Sequence, residues 1–159
     1  MKRLIGVFVL SAVFVGIVVY SAETRAFFAR QEASYCQVQS GGNDNFSNGC
    51  NFNTSFSMVV SCGVEDTAVN PKNTITTFNV HVSSRSSSSS LATRCVNFWN
   101  APGTSCGSSF FGSGIGMLVL QPPTFAGWTA ADFGFVQVIM PPSTSSGGTT
   151  CLKGYFTQG

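Results

Sequence analysis

Apolar residues along this chain recur at every second position more often than at every third or fourth. From Thr54, residues Phe56, Met58, Val60 and Cys62 fall on one face of an extended segment, with Ser55, Ser57 and Ser61 on the other. From Ile75, residues Phe78, Val80 and Val82 share a face opposite Thr77, Asn79, His81 and Ser83. A period of two is the mark of a half-buried β-strand. Leu91 to Trp99 continues it, with Ala92, Val96 and Phe98 on one side and Leu91, Cys95 and Trp99 on the other. Ile115 to Leu120 and Phe133 to Met140 are short, nearly continuous apolar runs followed by Pro122-Pro123 and Pro141-Pro142. Proline cannot continue a strand ladder, so both runs are bounded. Phe133 to Met140 predicts a central strand covered on both faces, and Cys36 to Ser40 and Leu152 to Thr157 predict terminal strands.

No segment after residue 33 has the 3.6-residue period of a long amphipathic helix. Thr129-Ala130-Ala131-Asp132 has capping-box spacing, but strand-like residues follow at once, so one helical turn is the most it predicts. Between the strands lie turn formers. Gly41 to Asn53 is rich in Gly and Asn and contains the turn dipeptide Asn48-Gly49, and Ser83 to Ser90 is a serine run that predicts a flexible hairpin connection. Many short strands with Gly, Pro, Asn and Ser between them predict an all-β fold, a disulfide-stabilised sandwich or partly open barrel. The 15 phenylalanines supply large apolar area to a small core.

The N-terminus departs from this pattern. Lys2 and Arg3 precede an uncharged apolar run, Leu4 to Tyr20, and small residues and charges resume from Ser21 to Arg25. This is the order of a secretory signal. Cleavage after Ala26 places Thr24 and Ala26 at the two small-residue positions, and Ser21 and Ala22 offer earlier sites. The alternative is an uncleaved anchor helix, the only membrane insertion expected. Either way the remainder faces outward, because Lys2 and Arg3 favour the inner side. The expected organisation is therefore a signal segment over 1–26 and a single exported β domain over 27–159, secreted or at the cell surface.

Removing the leader changes the charge. The positive residues left are Arg30, Lys72, Arg85, Arg94 and Lys153, and the negative ones Glu32, Asp44, Glu65, Asp66 and Asp132. They cancel, so the formal +2 belongs to the leader. A neutral, charge-poor domain has little to attract a phosphate backbone, which argues against a nucleic-acid partner. All six cysteines, Cys36, Cys50, Cys62, Cys95, Cys106 and Cys151, lie in the exported part. An even count there predicts disulfides, and no close pair supports zinc or redox chemistry. Asn100-Ala101-Pro102-Gly103 turns the chain between Cys95 and Cys106, which makes that the first pairing expected. Closing such a loop is worth about 3 kcal/mol in the chain-entropy model. Cys36 with Cys50, across the Gly/Asn-rich loop, and Cys62 with Cys151 are the remaining expectations.

Candidate chemistry is sparse. Gly103-Thr104-Ser105-Cys106-Gly107 spells the hydrolase pattern G-x-S-x-G, but the lone histidine, His81, precedes the serine and no long helix follows. Asp132-Phe133-Gly134 spells a kinase triplet without its companion motifs, and the glycines of Gly112 to Gly116 lack dinucleotide-fingerprint spacing. Asp44 among asparagines is a poor calcium loop, since Phe46 breaks the ligand pattern. Glu65 and Asp66 are adjacent and would face apart on a strand. Asn45 and Asn53 begin glycosylation sequons. No metal, cofactor or catalytic residue is expected. Trp99, Trp128 and Tyr155 are the candidate ligand contacts, since rings can form the floor of a sugar or apolar site; for Trp99 the competing reading is packing beside a disulfide. The function expected is that of an exported, non-catalytic structural or interaction protein with a protein or glycan partner. The alternatives are a carbohydrate-binding, lectin-like module and, third, an exported inhibitor or toxin.

Overall fold

The computed structural model describes residues 28–41, 46–47, 50–53, 56–66, 71–98, 101–131, 133–142 and 149–159. The leader expected over 1–26 therefore lies outside the described residues, as do Asp44, Asn45, Asn48-Gly49 and Trp99. No helix among the described residues is long and apolar enough to cross a membrane.

Eleven strands follow in order: β1 Phe28–Glu32, β2 Cys36–Ser40, β3 Phe46–Ser47, β4 Cys50–Asn53, β5 Met58–Gly63, β6 Thr77–Ser84, β7 Ser90–Phe98, β8 Ala101–Gly112, β9 Gly116–Leu120, β10 Phe133–Met140 and β11 Thr150–Gln158. They form two antiparallel sheets. One is six-stranded, in the order β3-β4-β11-β6-β9 with β1 also pairing β11; the other is five-stranded, β2-β5-β10-β7-β8. The sheets pack face to face, so the all-β sandwich expected from the two-residue period is the fold. Phe78, Val80 and Val82 from β6 and Leu152 and Tyr155 from β11 meet Met58, Val60, Cys62, Ala92, Val96, Val136, Val138 and Met140 from the other sheet.

Several local expectations change. Phe56 precedes β5 and is exposed, so the buried face of that strand begins at Met58. Strand β10 is central, between β5 and β7, but only one face is covered: Val136, Val138 and Met140 point inward while Phe133, Phe135, Gln137 and Ile139 line the outside. Strand β11 is the last in the chain, as expected, and lies inside its sheet between β4 and β6. The helical turn forms at α1, Ala126–Ala130, and Thr129 lies inside it with its hydroxyl donating to the Ala126 carbonyl instead of capping a later turn. The serine run is no hairpin, because β6 and β7 belong to different sheets and the run carries the chain across the sandwich. Ser84, Ser86 and Ser90 are buried there, the Ser84 hydroxyl donates to the Ser86 carbonyl, and the Arg85 N–H donates to the Thr150 hydroxyl.

Disulfides join Cys36 to Cys62 and Cys95 to Cys106. Each links residues directly opposite on neighbouring strands of the five-stranded sheet, with Cα atoms 4.1 Å apart. The Cys95–Cys106 link is the one the turn at Pro102-Gly103 suggested. The first link replaces the expected pairings of Cys36 with Cys50 and of Cys62 with Cys151. Loop closure suggested those, but β2–β5 pairing sets Cys36 against Cys62 instead. Disulfides fit an oxidising, extracytoplasmic environment.

Candidate functional site

Two of the three rings expected to contact a ligand are core residues. Trp128 sits on α1, which closes one end of the sandwich, and is 1% exposed. Its indole N–H donates to the Lys72 carbonyl at 2.9 Å, and the Lys72 ammonium donates back to the Trp128 carbonyl. The ring meets Phe78 edge-on at 6.5 Å, and Phe78 stacks on Tyr155 at 5.1 Å. Tyr155 is itself buried, with its hydroxyl donating to the Gly63 carbonyl. Burial pushes the Tyr155 phenol up to about 12, helped by the negative charge of Glu65. Neither ring face is free for a ligand. The physical reason is the open end of a two-sheet stack, whose apolar interior needs a plug.

Arg94 completes this plug and was not singled out in the sequence. Strand alternation puts it on the same inward face as Ala92 and Val96. Its guanidinium donates to the carbonyls of Pro122, Ile75 and Thr76 and lies 5.5 Å from the Phe78 ring centre and 5.3 Å from that of Trp128. Burial pulls its pKa down to about 10. A planar fork of five donors can satisfy several carbonyls at once, which a lysine cannot. Gly134, of the kinase-like triplet, also has a structural explanation: a Cβ there would meet the Lys72 side chain at 2.5 Å and the Trp128 ring at 3.0 Å.

The residues of the other motifs do not converge. Ser105 lies in β8 at the edge of the five-stranded sheet, whereas His81 lies in β6 of the other sheet, opposite Val119. Asp66 accepts a hydrogen bond from the Lys72 backbone N–H at 2.9 Å. Among the described residues, no group of three or more His, Cys, Asp or Glu side chains could hold a metal ion.

The arrangement with the most organised chemistry is the outer face of the five-stranded sheet. Register fixes its rows. Gln37, Ser61, Gln137 and Thr93 lie side by side across β2, β5, β10 and β7. In the next row Gly63, Phe135 and the Cys95–Cys106 bridge follow one another, and Phe133, Asn97 and Thr104 form the row beyond. Tyr35, just before β2 and 67% exposed, lines the same hollow as Gly63. Together they frame a groove of about 710 Å³, lined by Tyr35, Gln37, Ser61, Asn97, Phe135 and Gln137 among others. No lining residue is charged. The Thr104 hydroxyl donates to the Asn97 side-chain oxygen at 2.8 Å, which leaves the Asn97 NH2 group as a donor. Among the described residues, the side-chain amides of Gln37, Gln39 and Gln137 have no protein partner. Gly63 is the floor, and a Cβ built there meets nothing within 4 Å.

The opposite sheet offers a different hollow of about 560 Å³, where Arg30, His81 and Lys153 mix with Met117 and Phe156. Where the chain crosses from β8 in one sheet to β9 in the other, Phe111, Ile115, Met117 and Val119 are exposed.

No protein-family model, curated protein or solved structure matches this chain.

Ser61 was legible as an outward position in an alternating strand, whereas Gln137 lay in a run expected to be covered on both faces. What the sequence lacked was the pairing that collects them. Gln37, Ser61, Asn97 and Gln137 come from four strands spread over a hundred residues.

Proposed function

We propose that this protein is an exported, non-catalytic binding domain whose working surface is the outer face of the five-stranded sheet. The observation that carries the reading is the groove itself: an uncharged hollow of about 710 Å³ framed by side-chain amides, hydroxyls and two rings along the five-stranded sheet. Sites for small ligands commonly have this size and this mixture of a ring-lined floor and a few polar groups. Strands hold such groups more firmly than loops do. The N-terminal leader and the disulfides support placing the domain outside the cytoplasm.

In-cell photo-crosslinking tests the reading. The full chain is expressed in its source cells with benzoylphenylalanine replacing Gln37 on the groove, or Asn79 on the outer face of the other sheet. The expected result is a covalent adduct from position 37 and none from position 79, in protein labelled by a membrane-impermeant amine reagent on unbroken cells. Equal adducts from both positions, or protein shielded from the reagent, would contradict it.

A further inference from the structure

The chemistry of the groove narrows the class of ligand, provided the outer face of the five-stranded sheet is the binding surface. We propose that it binds a neutral oligosaccharide.

Backbone groups at the groove floor are already paired. Strands β5, β10 and β7 have neighbours on both sides, so a ligand over them meets side chains rather than an open ladder. An extended peptide gains most of its affinity by adding to a free edge, and the groove offers none over those strands. What it offers is Gln37, Gln137 and Asn97 amides with Ser61 and Thr104 hydroxyls. A carboxamide carries a donor and an acceptor side by side, and a hydroxyl is both. This set matches vicinal hydroxyl groups, each of which also donates and accepts.

Tyr35 and Phe135 supply the apolar half of the match, because the faces of a pyranose ring bear C–H groups that pack on aromatic rings. Gly63 lies between them with no side chain, which leaves a trough wide enough for a ring to settle.

Charge decides between neutral and acidic sugars. No cation lines the groove, and Glu65 lies in the adjoining hollow that shares Tyr35 and Gly63. A sulfate, phosphate or uronate would lose its hydration there without a charged partner.

Gly63 makes a clean test. Its φ is not positive and the space beside it is open, so a large side chain there fills the trough without displacing the sheet. The full-length exported protein is titrated calorimetrically with neutral gluco-, manno-, galacto- and N-acetylhexosamine oligosaccharides and with uronate- and sulfate-bearing ones. The expected result is binding of at least one neutral series. Gly63→Trp should weaken it more than tenfold, and Gln137→Ala and Gln37→Ala about tenfold each. Lys153→Ala, on the other sheet, should leave it unchanged. Thermal unfolding of Gly63→Trp within a few degrees of the parent verifies the fold. Selective binding of the acidic series overturns the proposal. So does neutral binding that survives Gly63→Trp, or no heat with any neutral series at millimolar concentration. An adduct from position 37 in cells together with no neutral-glycan binding would leave the binding surface standing and remove only the sugar.

Discussion

Trp128 and Arg94 are the residues on which the interior depends. Trp128 touches Phe78, Lys72 and Arg94 and fills the open end of the sandwich. Trp128→Ala should lower the unfolding free energy by about 3–5 kcal/mol in urea melts, as large-to-small core changes do. Arg94→Met removes the donors to the Pro122, Ile75 and Thr76 carbonyls at once. Unsatisfied buried acceptors cost about 1–3 kcal/mol each, so a loss of at least about 2 kcal/mol is expected by the same measurement. Tyr155 gives a pH dependence with a definite sign. Its phenol is raised from 10.0 to about 12 in the folded state, so the unfolded state loses its proton first as pH rises. The stability due to the neutral phenol is complete below pH 10 and fades as pH rises from there through about 12. Stability curves of Tyr155→Phe should lack that alkaline decline. The alternation at Ala92, Arg94 and Val96 made Arg94's inward direction readable. Trp128 was not readable, because burial in a Gly/Thr loop depends on which part of the sandwich the loop returns to cover.

At the scale of elements, the two-residue period identified β5, β6 and β7 because each has one face in the core and one outside, whereas β10 reads as a continuous apolar run, which predicts cover on both faces. The period was weaker where pairing overrides local preference. Residues 101–112 contain Pro102, three Gly, three Ser and a turn signal, yet they run as one strand, β8, because the backbone pairs along β7 and the Cys95–Cys106 bridge clamps it. The serine run misled in the opposite direction: its composition reads as flexible, but Ser84, Ser86 and Ser90 pack between the sheets. The bend in β11 rests on one glycine. The register with β6 shifts between Leu152 and Gly154, where Gly154 has φ +143°. A Cβ there would lie 2.2 Å from the Gln31 carbonyl oxygen on β1. Gly154→Ala combines a disfavoured backbone with that collision, and a loss of about 2 kcal/mol or more is expected. Hydrogen exchange should show β1 amides losing protection first, since β1 has to move away.

For the whole molecule, the sequence made the fold class readable and left the site obscure, for one physical reason. Alternation is local, whereas a groove assembled from Tyr35, Gln37, Ser61, Asn97 and Gln137 exists only after β2, β5, β10 and β7 have found their order. The same order sets the disulfides. The Cys36–Cys62 and Cys95–Cys106 bridges each lie within the five-stranded sheet, and core side chains from both sheets meet between them. Register is the quantity everything else inherits: a one-residue slip of β2 against β5 would separate Cys36 from Cys62 and turn Gln37 into the core. Peptide mapping of the unreduced, exported protein by mass spectrometry tests it most directly. The expected result is one cross-linked peptide joining Cys36 to Cys62 and another joining Cys95 to Cys106; recovery of Cys36 with Cys50, of Cys62 with Cys151, or of these cysteines as free thiols would contradict it.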